Sequence, residues 1–276
     1  MQVITSKDNS IIKHIKKLKE KKYRDENNEY IIEGIKLIKE AIQEKAKIKQ
    51  IIICEDCEKN LEIDKELIYE IAKENCIYVT KKIFESITDV TNPQGILAII
   101  EKNNIEVQIN NNIQEINLKE DIIVALDGVQ DPGNLGTILR TVDSIGLTQI
   151  LVSKDTADSY NPKVVRSTMG AIFRIKIIEC ENLENTLKML KEKKFSILAT
   201  SLQTKNSIYD VDYNKTVVVI GNESKGVTEN IQKIADKKVK IPMLGKTESL
   251  NASVATGIVL YEYVRQKIQG KKGKNV

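Results

Sequence analysis

The sequence predicts an α/β protein with a parallel sheet, built as two domains, and three observations carry that expectation. Helical periodicity and short apolar runs alternate along the 276-residue chain. IIVAL (122–126), QILV (149–152), SILAT (196–200) and TVVVI (216–220) are near-continuous apolar segments, the pattern of parallel strands covered on both faces. Between the two alternating halves lies EKNNIEVQINNNIQEINLKED (101–121), polar, asparagine-rich and without a clear period. The expected layout is a smaller domain at 1–100, a linker at 101–120, a second domain at 121–270 and a disordered tail at 271–276.

Ile11, Ile12, Ile15 and Leu18 recur at helical spacing, with Lys13, Lys16, Lys17 and Lys19 on the other faces. This predicts one amphipathic basic helix running to about Arg24. Residues 30–44 read as a strand entering a helix, and 49–54 as a buried strand. A helix at 65–74, a strand at 76–79, a helix near 81–86 and a strand at 95–100 complete the first half. The linker has room for a short strand. In the second half, helical segments separate the four apolar strands, one helix starts near Val227, and the last covers about 250–268.

With 41% apolar and 30% charged residues, the chain has the composition of a soluble globular protein. Its longest apolar runs, Ile96–Ile100 and Ile122–Leu126, span five residues and exclude a membrane helix. The start, MQVITSKDNS, has no apolar stretch and does not read as a signal peptide, so cytoplasm is the expected location. Cys54 and Cys57 form a lone C-x-x-C, Cys76 and Cys180 stand apart, and the single histidine, His14, sits among lysines. A structural zinc wants four ligands, usually as two close pairs, so no metal is expected, and a histidine-based triad is nearly excluded. The net charge is only +4, but residues 1–24 carry +6 and residues 265–276 carry +5. Charge gathered at two ends favours a polyanionic partner, with a solvated helix face and a basic tail as the equal alternative.

Ligands of open parallel sheets bind outside the carboxyl ends of the strands, and three loops there carry unusual residues. The first is Asp127–Gly136, which leads into a helix whose core stripe is Leu135, Ile138, Leu139, Val142 and Ile145, with Arg140 on the opposite face. It matches neither G-x-G-x-x-G nor a P-loop. The second is Gly221–Gly226, two glycines around Glu223, equally readable as a plain turn. The third is Ile241–Ala255, where Ser249 reads as a helix N-cap and small residues at 252–257 permit close helix packing. Leu250, Val254, Gly257, Ile258 and Tyr261 trace one face of that helix.

Taken in order, N-x-G-x-x-x-R (Asn134, Gly136, Arg140), I-G-N-E-x-x-G (Ile220–Gly226) and S-L-N-x-S-x-A (Ser249–Ala255) resemble the three-motif signature of the SpoU (TrmH-type) RNA ribose 2′-O-methyltransferases. ITSKDNSIIKHIKKLKEKKYR with YIIEGIKLIKEAI resembles the N-terminal RNA-binding domain of the two-domain members. Asn92–Gly95 resembles the T-P-Q-G that closes it, and Asn161–Phe173 matches a further shared stretch.

The resemblance implies the SPOUT fold, with a deep trefoil knot building the S-adenosylmethionine pocket, and a homodimer formed through the C-terminal domain. It implies methyl transfer from S-adenosylmethionine to a ribose 2′-hydroxyl of RNA. Large-subunit rRNA is favoured because of the N-terminal domain, with tRNA, or a non-catalytic ribosome-assembly role, as alternatives. Arg140, Asn134, Glu223, Ser249 and Asn251 match the catalytic and orienting positions. Ile220, Gly221, Glu223, Gly226, Ile241, Leu250 and Ala255 match the cofactor segments, with Ser224 standing where many members have glycine. Lys13, Lys16, Lys17, Lys19, Lys21, Lys22 and Arg24 would meet phosphates, and Arg166 would hold one near the active site.

Overall fold

A computed structural model describes residues 3–56, 65–102, 106–109 and 113–272. Two compact units emerge: residues 1–104 with 160–174, and residues 105–159 with 175–276. Residues 160–174, expected in the second domain, thus belong with the first unit.

The first unit runs β1 (Val3–Ile4), α1 (Ser10–Lys17), α2 (Lys21–Asn27), β2 (Glu29–Glu33), α3 (Ile35–Gln43), β3 (Ile48–Cys54), α4 (Lys65–Ile71), β4 (Cys76–Val79), α5 (Lys81–Glu85) and β5 (Ile96–Glu101). Its sheet has the order β1-β4-β3-β5-β2 and is mixed, since β5 runs antiparallel to both neighbours. Ile12, Ile15 and Leu18 enter one apolar cluster with Ile52, Phe84 and Leu97. The single basic helix expected to Arg24 is two helices. Arg24 is only 2% exposed, and its Nη1 donates to the carbonyls of Leu18 (2.8 Å) and Lys19 (2.7 Å), satisfying chain ends that a helix terminus leaves open. Tyr160, which precedes the helix Pro162–Thr168 (α7 in chain order), stacks on Tyr30 with ring centroids 4.7 Å apart. Arg174 Nη1 closes the same segment onto Glu40 Oε2 at 2.6 Å. This packing explains why 160–174 leaves the second unit.

The second unit comprises β6 (Glu106–Ile109), β7 (Ile122–Asp127), α6 (Pro132–Ser144), β8 (Gln149–Ser153), β9 (Lys176–Cys180), α8 (Leu183–Glu192), β10 (Ser196–Thr200), β11 (Thr216–Gly221), α9 (Glu229–Ile234), β12 (Lys237–Val239) and α10 (Ala252–Lys272). The sheet order is β12-β10-β11-β7-β8-β9-β6, and every ladder is parallel. The apolar runs of the sequence become β7, β8, β10 and β11, and their residues Ile123, Leu151, Ile197 and Val217 share a core with Leu183, Leu187 and Leu190 of α8. Burial of each such side chain contributes roughly 1.5–3 kcal/mol. β9 and β12 add strands that the apolar runs did not announce. β6 falls inside the expected linker, and α10 extends two residues into the expected tail, the rest of which lies outside the described residues.

Because β7 is followed by β8 on one side and flanked by β11 on the other, the chain changes direction beside β7, and the loops after β7 and β11 meet at one edge. Among the described residues no helix is long and apolar enough to cross a membrane.

Candidate active site

Three loops are tied together at that edge by side chains. Asp131 caps α6, its carboxylate accepting from Asn134 N at 2.8 Å, with Pro132 in the first turn where a missing N–H costs nothing. Asn134 is 7% exposed and bonds in two directions. Its Nδ2 donates to Glu223 Oε1 at 2.9 Å, and its Oδ1 accepts from Asn251 Nδ2 at 2.8 Å. One residue from each sequence motif therefore joins a single chain, Glu223–Asn134–Asn251.

Glu223 also accepts from the backbone N–H of Gln130 (3.2 Å) and Asp131 (3.1 Å), at the entrance to α6. Burial alone would raise its pKa, but the hydrogen bonds from Asn134 and from the N–H groups of Glu223, Gln130 and Asp131 outweigh that and hold the carboxyl below its ordinary value. It is an ionised acceptor at neutral pH. Asn251 has a second task. Its Oδ1 accepts from the N–H groups of Ser253 (2.9 Å) and Val254 (3.3 Å), so Asn251, and not Ser249, is the N-cap of α10.

The second loop is shaped by its glycines and by Asn222. A Cβ on Gly221 would stand 2.1 Å from backbone atoms of Gly226 and Val227, so no side chain fits there. Gly226 has φ +70°, and its N–H and carbonyl both pair with Asn222. Ser224 needs no positive φ, so serine in place of glycine leaves the turn unstrained. Asn222 Oδ1 accepts from Ser224 N (2.9 Å) and Lys225 N (3.1 Å), while its Nδ2 donates to Gly128 O at 2.8 Å, a second tie between the first two loops. Asp127 supplies a third, accepting from Thr228 N at 2.7 Å. Asn222 and Asp131 were not singled out from the sequence. The Asp-Pro pair at a helix start was the available signal for Asp131, and the N of I-G-N-E-x-x-G was the signal for Asn222, although its bond to the first loop shows only in the fold.

The remaining candidates divide. Arg140 lies six residues past Asn134 on α6, ~9 Å further along its axis, exposed and without an ion pair or side-chain hydrogen bond among the described residues. Ser249 is exposed in the third loop, outside the hydrogen-bonded chain. Ile220 and Gly221 end β11 and are buried, Gly226 is exposed, and Ile241, Leu250 and Ala255 are half-buried. From Ile241 to Leu250 the backbone makes no hydrogen bond to any described residue, so its N–H and C=O groups face water or a ligand. Lys13 and Lys17 are exposed on α1 and Lys21 and Lys22 on α2, Lys16 is half-buried, and Lys19, in the turn between the helices, is paired with Asp89 at 2.6 Å. Arg24 is a correction: a buried guanidinium bonded to two carbonyls is a structural group, not a phosphate contact. Arg166 belongs to the first unit, on α7, where it lines a small cleft with Glu33 and Asp89. Cys54 is buried, and its C-x-x-C partner Cys57 lies outside the described residues.

Comparison with known proteins shows the family. The family model described as the SpoU rRNA Methylase family matches residues 121–261, and that of the MRM3-like substrate binding domain matches residues 9–98. The 23S rRNA (guanosine(2553)-2′-O)-methyltransferase RlmP of Bacillus subtilis is 29% identical over 95% of this chain and 98% of its own length. The 23S rRNA (guanosine-2′-O-)-methyltransferase RlmB of Bordetella pertussis is 36% identical over 64% of this chain and 72% of its own. The AdoMet-bound rRNA methyltransferase of Sinorhizobium meliloti superposes with a TM-score of 0.81 at 32% identity, over 96% of this chain and 98% of the other. With a family model covering half its length and the three motif loops joined through Asn134, the chain belongs to the SpoU rRNA methylase family.

Proposed function

We propose that this protein transfers a methyl group from S-adenosylmethionine to a ribose 2′-hydroxyl of large-subunit ribosomal RNA. The single observation that carries the reading is the chain Glu223–Asn134–Asn251, which gathers one residue of each family motif at the carboxyl edge of the parallel sheet. The relatives' names supply the substrate class, and the Sinorhizobium structure supplies the methyl donor.

The residues present fit that donor. Gly221 leaves no room for a side chain beside the turn, the half-buried Ile241 and Leu250 offer apolar surface, and the unbonded backbone of 241–250 offers donors and acceptors suited to a purine edge. When bound, S-adenosylmethionine supplies an electrophilic sulfonium methyl. The protein must then hold the hydroxyl in line and direct its proton away. Arg140 does not act as a base, since a guanidinium carries five N–H donors and no acceptor for a proton. Its role is to clamp the hydroxyl and an adjacent phosphate, leaving the phosphate to accept the proton. Asn134, locked by Glu223 and Asn251, sets the start of α6 and hence the aim of Arg140, and Ser249 faces the reacting ribose from the third loop.

The same reading extends to architecture. The first unit forms the RNA-binding domain and the second the methyltransferase domain, and the chain after β12 is threaded as a deep trefoil knot. The knot rests on family membership alone; the chain leaves the sheet edge at β12, and α10 packs against α6. The protein acts as a homodimer through α6 and α10. Val254 (50% exposed), Tyr261 (54%) and Ile268 (52%) form an apolar stripe on α10, and Tyr261 OH lies 3.4 Å from Ser144 Oγ of α6.

The test is transfer of labelled methyl to purified rRNA and tRNA, with alkali-resistant linkages mapped afterwards. Label at an alkali-resistant site in large-subunit rRNA supports the proposal. Label confined to tRNA moves the substrate, and RNA binding without transfer to free or ribosomal RNA leaves an assembly factor.

A further inference from the structure

The parallel register places the ends of β10, β11 and β12 on the same edge as the candidate site. The loop after β10 is zipped to the chain leaving β12, with Ser201 N donating to Val239 O (2.9 Å), Lys240 N to Asn206 O (3.0 Å) and Ile208 N to Lys240 O (3.0 Å). That pairing brings Lys205 beside the strand end that carries Lys240. Lys225 sits in the turn that presents Glu223, and Lys246 in the segment that leads to Asn251. Lys205, Lys225 and Lys246 are exposed and Lys240 is half-buried. None of the four makes an ion pair or an ammonium hydrogen bond with any described residue. Elsewhere in the unit, Lys154, Lys176, Lys188 and Lys191 are each paired with a carboxylate, while Lys119, Lys193 and Lys194, on the segments that enter β7 and β10, are exposed without an ion pair among the described residues.

The acids are distributed the other way. The end of β7 carries Asp127, the loops after β7 and β8 contain Asp131, Asp155 and Asp158, and their one cation, Lys154, is paired with Glu181. The loops after β10, β11 and β12 carry Asp210 and Asp212, which accept from Ser207 N and Asn214 N, Glu223, already saturated by N–H donors, and the exposed Glu248. The edge is therefore polarised, basic over β10–β12 and acidic over β7–β8. Lysines also blunt exposed sheet edges against pairing, and that accounts for Lys237 and Lys238 on β12 itself. It does not account for Lys205, Lys225 and Lys246, which lie in loops.

We propose that Lys205, Lys225, Lys240 and Lys246 form a second phosphate track on the catalytic unit, separate from the lysines of α1 and α2, that leads the RNA backbone into the site from the β12 side. The inference rests on the RNA reading above and adds a direction of approach. Phosphate contacts of this kind bind without reading sequence and release counterions.

The test uses the full chain with all four lysines changed to glutamine, and a second variant carrying only Lys205→Gln and Lys225→Gln, which leaves 240–250 untouched. Fluorescence anisotropy with a labelled large-subunit rRNA fragment is followed across salt concentration, with S-adenosylmethionine affinity and melting temperature measured in parallel. Each lost contact lowers the salt slope by about 0.7–0.9, so the quadruple variant loses about three and the double variant about half of that. Cofactor affinity and melting temperature stay at the parental values in the double variant. A double variant with parental RNA affinity and slope overturns the track, as does one whose RNA loss is matched by lost cofactor affinity. A parent that binds no RNA overturns the track and the function reading together. Weakened binding in the variants, with no methyl transfer by the parent, overturns only the activity.

Discussion

Asn134→Asp puts a carboxylate where an amide N–H now meets Glu223 Oε1 at 2.9 Å, and the consequence can be worked out. Two unit charges at that separation repel by ~1.4 kcal/mol at the dielectric of water and by ~6 kcal/mol at an effective dielectric of 20. Glu223 is solvent-exposed, so the lower end applies. The lost hydrogen bond to a charged acceptor adds roughly 1–2 kcal/mol. The bond from Asn251 Nδ2 survives, because a carboxylate still accepts it. The expected deficit at pH 7.5 is about 2–4 kcal/mol for the second unit. It has a definite pH signature. In the variant, a proton shared by the two carboxyls restores the contact, so the upper apparent pKa of the pair is raised in the folded protein. A raised folded value adds stability as pH falls, so the deficit shrinks from neutral pH towards pH 5. Asn134→Ala loses the same bond without adding charge, and its deficit stays flat over that range. Melting curves of parent, Asp and Ala variants at pH 5 and pH 7.5, run alongside single-turnover methyl transfer, check both limbs. Parallel pH profiles for the Asp and Ala variants would refute the electrostatic argument, and parental turnover in the Asp variant would remove Asn134 from the site.

Arg140→Ala should abolish methyl transfer while leaving the melting temperature near parental, since the side chain is exposed and has no partner among the described residues, and should cost RNA binding no more than one phosphate contact; unchanged transfer sinks its assigned role. Gly221→Ala meets backbone at 2.1 Å, which no rotamer relieves, so it should lose cofactor binding together with about 1–3 kcal/mol or more of stability by calorimetry. Arg24→Ala should cost about 1–3 kcal/mol by leaving the Leu18 and Lys19 carbonyls without their donor, with no change in the salt slope of RNA binding; a lowered slope at parental stability would return it to the phosphate contacts. Lowering the pH should leave the Glu223 contacts intact through the ordinary carboxylate range and release them only below it, because its folded pKa is depressed. Transfer by the parent should therefore not fall at pH 5–6 through this group, which a pH–rate profile compared with Glu223→Gln would reveal.

How far the sequence could be read depended on where each residue finds its partner. β7, β8, β10 and β11 were legible because a parallel strand buried on both faces must be apolar almost throughout, and each was a continuous run. β12 was not, because an edge strand of Lys-Lys-Val has no apolar run to show. The break between α1 and α2 was hidden as well. Lys17 to Lys21 contains neither glycine nor proline, and what ends α1 there is a guanidinium arriving from Arg24 in the next helix. The docking of 160–174 on the first unit has the same character, since it depends on Tyr30 and Glu40, more than a hundred residues upstream.

The site was legible for a different reason. Asn134, Glu223 and Asn251 lie up to 117 residues apart, and no local rule connects them. They could be named because each sits in a loop whose neighbours are themselves constrained: Gly221 by a backbone 2.1 Å away, Asn251 by the first turn of α10, and Asn134 by the cap at Asp131. Such constraints write short, spaced motifs, and the motifs in order mark a family even where their mutual contact is invisible. Asn222 sets the limit of that legibility. It lies inside the second motif and bonds the first loop through Gly128 O, yet in the sequence it is indistinguishable from an asparagine that merely closes its own turn, because its Oδ1 does that too. A residue with a local and a distant partner reads in sequence as its local role alone. Asn251 and Asn134 are asparagines of the same kind, and their distant halves are what assemble the site.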